Sequence, residues 1–183
     1  MRNFCLLAVT VAVLWWLFSP ADSTGVLQPD GSLRYPGYEF SNAERFELEG
    51  RVLSRRNYSS GREAELSPVD LAMGWGRMTE DAVIERLEIS QRNRWYKYRW
   101  GADGPPLPPA EISSQSANMH LVPANEQVAT ELATVRAGDR VKLYGDLVDI
   151  AAADGWRWRS SRSRTDTGAG ACELILIERI DLL

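Results

Sequence analysis

The sequence predicts a mainly β protein with inserted helices. In this α+β fold the strands build a small antiparallel, OB-like barrel behind one N-terminal hydrophobic helix. Three observations carry that expectation. First, residues alternate in the C-terminal third, with Val141, Leu143, Gly145 and Leu147 on one side and Lys142, Tyr144, Asp146 and Val148 on the other. That is the two-residue period of a half-buried strand. Second, turn residues Ala153-Asp154-Gly155, a Trp156-Arg157-Trp158-Arg159 segment and an apolar run over 174–180 follow at once, the layout of an antiparallel meander. Third, Gly50 and Gly145 stand at mid-strand, where glycine lets a barrel strand bend.

The chain opens with the cationic start Met1-Arg2-Asn3 and an uncharged apolar run over residues 4–18, followed by Ser19, Ala21 and Ser23. This is the layout of a secretory signal, so residues 1–23 read as a signal peptide cut after Ala21 or Ser23. Counted from Asn3 through Ala21, the same segment just reaches the roughly 17 residues that a tilted span needs. Trp15-Trp16-Leu17-Phe18 would then form an interfacial belt on an uncleaved anchor. Either way Arg2 stays inside and the remainder lies outside the cytoplasm.

Residues 24–43, rich in Gly, Pro and polar side chains, read as a tether with turn signals, and residues 44–183 as a single extracytoplasmic β-rich domain. Phe46, Leu48, Gly50 and Val52 alternate with Glu47, Glu49 and Arg51 as a first strand. Ser67-Pro68, with Asp70 in the first turn, predicts a short helix ending at Gly74-Trp75-Gly76. Thr79, Glu80 and Asp81 open a second helix with Val83, Ile84 and Leu87 inside. Residues 94–100 are too aromatic for a helix surface and read as a strand. The four prolines in 101–109 mark a connector. A polar loop then runs into a strand over 119–122. Asn125 caps a helix over 126–136 with the stripe Val128, Leu132 and Val135, and Gly138 ends it.

A hydrophobic fraction of 44% and seven tryptophans fit a packed globule. A net charge of −4 gives no overall attraction to nucleic acid. Of the two cysteines, Cys5 lies inside the apolar N-terminal run and cannot reach Cys172, which stands alone if that segment is cleaved, so no internal disulfide is expected. His120 is the one histidine, and with so few Cys and His no metal site is expected; nor is a cofactor.

Three constellations bear on chemistry. Asp166-Thr167-Gly168-Ala169 has the letters of the aspartic-protease signature. It lacks the preceding apolar strand and a second carboxylate, and so reads as a hairpin turn. His120 sits between Met119 and Leu121. A catalytic role would need Asp166 or Glu173 to orient it, and Cys172, Ser113 or Ser114 as nucleophile. Against this stands the commoner case of a structural histidine. The third constellation is a pair of aromatic-basic strands. In one, Tyr96, Tyr98 and Trp100 share a face opposite Trp95, Lys97 and Arg99. In the other, Trp156 and Trp158 lie opposite Arg157 and Arg159, with Arg162 and Arg164 just beyond. Such surfaces bind anionic glycan, lipid headgroup or phosphate by stacking and charge. The plainer alternative is that the tryptophans fill the core while the arginines pair with Glu47, Glu49 and Asp146.

Gly74-Trp75-Gly76, Ser116-Ala117-Asn118-Met119-His120-Leu121 and Asp166-Thr167-Gly168-Ala169-Gly170-Ala171-Cys172-Glu173 together resemble an uncharacterised family of small bacterial cell-envelope proteins, membrane-anchored or exported. The resemblance covers residues 46–183. It implies an envelope location and one compact domain, and brings no assigned activity or catalytic residues.

The expectation is therefore a non-enzymatic binding or assembly module of the cell envelope. It would be periplasmic, or anchored in the inner membrane through residues 4–18 with its C-terminal domain outside the cytoplasm. Its partner would be an envelope protein or an anionic glycan or lipid, met by Tyr96, Trp100, Trp156, Arg157, Trp158, Arg159, Arg162 and Arg164. The alternative is an extracytoplasmic hydrolase or transferase using His120 with Asp166 or Glu173. Single-stranded nucleic acid is disfavoured by export and by the acidic balance.

Overall fold

The computed structural model describes residues 25–163 and 171–183, so the expected N-terminal hydrophobic helix lies outside the described residues. Among those described, no helix is long and apolar enough to cross a membrane. The architecture is mainly β with few, short helices. Its spine is a long strand, β3 (Tyr38–Asn57). Ahead of it stand β1 (Val26–Leu27) and β2 (Leu33–Arg34), an antiparallel pair. After it come helix α1 (Arg62–Leu66), strand β4 (Val69–Gly74), a 3-10 turn (Gly76–Thr79) and helix α2 (Asp81–Ile84). Strands β5 (Leu87–Arg92) and β6 (Trp95–Trp100) form a hairpin. Helix α3 (Pro109–Ser114), strand β7 (Ser116–Pro123), helix α4 (Glu126–Thr134), strand β8 (Arg140–Ala152), strand β9 (Arg157–Arg159) and strand β10 (Glu173–Leu182) complete the chain.

The pairings run in a closed ring: β3 with β4, β4 with β7, β7 with β10, β10 with β8, and β8 back to β3. One of these pairs departs from the antiparallel expectation, since β7 and β10 are parallel. The expected meander is also redrawn. One edge of β8 is filled by β3, while β10 (against residues 141–147) and β9 (against residues 149–151) take further stretches of β8, and β9 and β10 do not pair with each other.

The segment 68–73 is not a helix. Every residue of β4 is buried, because β3 and β7 flank it and packed layers cover both its faces. A strand covered on both faces loses the polar alternation that would announce it. Ser67 closes α1, its N–H donating to the Glu63 carbonyl, and does not open a helix. Residues 109–114, read as connector and loop, form α3 with proline in its first turn, where the missing N–H costs nothing. The tether region carries the expected turns, yet it is built into the sheet. Tyr35 is buried, its hydroxyl donates to the Pro123 carbonyl at 2.8 Å, and β3 already pairs with β8 from Tyr38.

Three apolar clusters hold these pieces. The ring interior takes Leu71, Met73, Met119, Leu121, Leu143 and Ile175, closed by Val128, Leu132 and Val135 from α4 and the turn after it. A second cluster lies on the other side of the strands, where Leu66, Val122, Ile150 and Leu174 meet Tyr38, Trp156 and Trp158. The third seats the β5–β6 hairpin through Leu87, Ile89 and Tyr98 on Met78, Val83 and Ile112. The mid-strand glycines answer to close approach. A Cβ at Gly50 would stand 2.5 Å from the carbonyl oxygen of Gly74, and one at Gly145 would collide with that of Leu176.

Candidate functional site

In β7, Met119 and Leu121 enter the ring interior, so alternation turns Asn118 and His120 to the outer side. On the neighbouring β4 the same rule turns Asp70 outward, and the register sets Asp70 directly against His120. The carboxylate is fully buried. Its Oδ1 lies 3.0 Å from His120 Nδ1 and 2.6 Å from Arg94 Nη1, and its Oδ2 accepts from Asn118 Nδ2 at 3.2 Å. The histidine contact is one of charge proximity, not an aligned hydrogen bond, since Nδ1 has no partner in hydrogen-bonding geometry. Asn118 Oδ1 in turn accepts from Gln91 Nε2 at 2.6 Å.

Arg94 reaches this carboxylate from a turn. Asn93 and Arg94 link β5 to β6 with φ of 53° and 66°, the left-handed pair of a two-residue type I′ hairpin. Asparagine accepts that conformation readily, whereas arginine there costs about 1 kcal/mol. Its contacts offset the strain. The guanidinium pairs with Asp70 and lies 3.8 Å over the Tyr58 ring and 5.6 Å from the Trp158 ring, while the backbone N–H donates to the Tyr58 hydroxyl at 2.9 Å. Trp158 also packs on the His120 ring at 4.9 Å. A polar knot thus pins the β5–β6 hairpin and β9 to the outer face of β4 and β7.

His120 therefore lies against Asp70, a neighbour the sequence reading missed because it placed Asp70 on a helix. Glu173 does not fill that place: it aligns with Met119, and Leu174 aligns with His120, so alternation gives Glu173 and His120 opposite faces. Asp166 and Arg164 lie outside the described residues. Cys172, half-buried, has its thiol 3.9 Å from the Arg94 carbonyl. Among the described residues, no group of three His, Cys, Asp or Glu side chains is placed to hold a metal ion.

Of the predicted ligand-binding residues, Trp156 and Trp158 turn inward to Tyr38, His120 and the second cluster. Tyr96, Tyr98 and Trp100 stack along one face of β6 at 5.7 and 6.3 Å. Burial pushes the Tyr96 phenol up to about 12, with Ser116 drawing it partly back. Arg162 is held by Asp149 at 3.0 Å and Glu44 at 3.4 Å, and donates to the Asn42 carbonyl at 2.6 Å. Partial desolvation raises the Asp149 carboxyl, but hydrogen bonds from Asn42, Arg162 and the Ser160 N–H outweigh it and leave the net shift downward. Arg157 and Arg159, like Lys97 and Arg99 on β6, are exposed and make no ion pair among the described residues.

The chain matches no protein-family model, and no curated protein matches it.

Proposed function

We propose that this protein is a non-enzymatic binding or assembly module of the bacterial cell envelope, carried outside the cytoplasm by its N-terminal segment. The ring is read as an OB-like barrel. Its strand order (β3, β4, β7, β10, β8) and the helix α4 between its third and fourth strands in chain order support that reading. Barrels of this kind bind ligands on the face of their second and third strands and the loops beside it.

One observation carries the proposal. The two aromatic-basic segments, far apart in sequence, meet on the outer side of β4 and β7, where Arg94 at the head of β6 lies over Trp158 of β9. The inner aromatics pack in separate clusters, Tyr98 in the third and Trp156 and Trp158 in the second, and Lys97, Arg99, Arg157 and Arg159 remain exposed as cations with no ion-pair partner among the described residues. Exposed cations on two strands joined through Arg94 suit an anionic partner, a glycan or lipid headgroup or an acidic protein surface. The His120–Asp70 contact supports binding over catalysis, because the imidazole lies buried under Trp158.

The test is crosslinked co-purification of the full chain from envelopes, with Arg157→Ala/Arg159→Ala alongside. A recurrent partner lost in the variant, at unchanged circular dichroism, is the expected result. Undiminished capture by a folded variant defeats the proposal.

A further inference from the structure

We propose that the cavity beside the N-terminal hairpin is a binding site for a six-membered ring that carries an anionic group. The cavity measures about 390 Å³, inside the range of roughly 300–1,000 Å³ typical of small-ligand sites. It lies between the β1–β2 hairpin, the start of β3 and the outer side of β10, where Tyr38 packs on Trp156 next to β9, and it does not depend on the partner reading above.

Its walls are apolar and aromatic: Leu33, Tyr35, Tyr38, Phe40 and Leu176. Tyr35 and Phe40 stand 5.7 Å apart with their rings tilted by 41°, Tyr35 buried at the floor and Phe40 partly exposed beside it. Both tyrosine hydroxyls are already spent, Tyr35 on the Pro123 carbonyl and Tyr38 on Glu65. The rings therefore contribute faces for stacking and apolar contact, and other groups set the polarity.

Those groups are few. Arg34 lines the cavity, is exposed, and makes no ion pair among the described residues. Gln28 turns its amide nitrogen back to the Val26 carbonyl at 2.9 Å, leaving Oε1 as an acceptor. The nearest carboxylate on the hairpin, Asp30, is held by the Ser32 N–H and hydroxyl at 3.0 and 2.7 Å. Glu39 alternates away from Tyr38 and Phe40. Asp30 and Glu65, the carboxylates nearby, are hydrogen-bonded to Ser32 and Tyr38 and form no ion pair with Arg34, so Arg34 is the group of this aromatic cavity that can receive a ring bearing a carboxylate or sulfonate.

The test uses anilinonaphthalene sulfonate and its neutral counterpart N-phenylnaphthylamine on the full chain, followed by fluorescence titration. Saturable one-to-one binding of the sulfonate is expected. Arg34→Gln weakens it by about ten-fold, the loss of one charge-assisted contact, and leaves the neutral dye unchanged. Leu176→Trp, which fills the cavity, removes both dyes. Should that variant unfold by circular dichroism, Arg34→Glu takes its place and abolishes sulfonate binding alone. Displacement of the dye by glucuronate assigns the site to acidic sugars, and no displacement assigns it to aromatic acids. Unsaturable binding, or sulfonate affinity indifferent to Arg34, overturns the proposal.

Discussion

Asp70 and His120 face each other across the β4–β7 ladder, and the single carboxylate between them also receives the guanidinium of Arg94 from a turn of another sheet. One buried anion therefore serves two groups that can carry positive charge. Its removal strands a buried guanidinium, the costliest kind of deletion. Asp70→Ala should lose about 3–5 kcal/mol in urea unfolding. The double variant Asp70→Leu/Arg94→Met, which removes the charges together, should lose much less than the sum of its single variants. Additive losses would mean that the two groups are not energetically coupled.

Gly50 and Gly145 mark the places where strands come too close for a side chain. Gly50→Ala sets a methyl against the Gly74 carbonyl, and Gly145→Ala drives one into that of Leu176. Both obstacles are backbone and cannot rotate away. Each substitution should cost at least about 1–3 kcal/mol, the usual range for overpacking. Gly101→Ala, whose added methyl meets nothing within 4 Å, serves as the control in the same thermal melts.

Asn125 caps α4 by accepting the Val128 N–H at 2.9 Å, and its amide nitrogen donates to the Glu178 carbonyl at 3.2 Å. Asn125→Ala should lose about 1 kcal/mol from the cap alone. Asn125→Asp keeps the capping oxygen and forfeits the donor to β10. Its loss in denaturant titration should fall between those of the wild type and the alanine variant.

Tyr96 gives the fold an alkaline limit. Its phenol ionises at about 12 in the folded protein against an ordinary value of 10.0, chiefly through burial. A raised value means that the unfolded chain gives up this proton first. The stability is therefore intact below pH 10 and declines as pH climbs towards about 12, by roughly 1.4 kcal/mol per pH unit for one such proton. Tyr38, Tyr58 and Tyr98 shift in the same direction, so Tyr96→Phe should shallow the decline without abolishing it. An unchanged slope in urea melts across that interval would contradict the assignment.

Where local chemistry decides, the sequence was readable. Asn125 and the stripe Val128 and Leu132 act as α4 requires, but the helix stops at Thr134 with Val135 extended, two residues short of the expected end, and Gly138 at φ +98° serves the turn that follows. The alternation over 141–147 likewise emerged as β8. Ser67-Pro68 misled because the same two residues can open a helix or close one, and the all-buried strand after them has no polar period to correct the reading. Asp70 was lost with that strand. No spacing rule joins it to His120 or Arg94, since the three meet through a register between β4 and β7 and the turn of a separate hairpin. The aromatic-basic strands could be found by composition. Which of their faces turned inward depended on what β4 and β7 offered beneath them.

The place of β10 has a consequence of its own. It is inserted between β7, which it follows in parallel, and β8, which it meets antiparallel, so two otherwise complete edges wait on one strand. A chain in which β10 has come out presents two unsatisfied ladders side by side, a vacant slot shaped for that segment. The same segment of a neighbouring molecule fits the slot as well as its own does, so partial opening here favours exchange of strands between copies over disordered clumping.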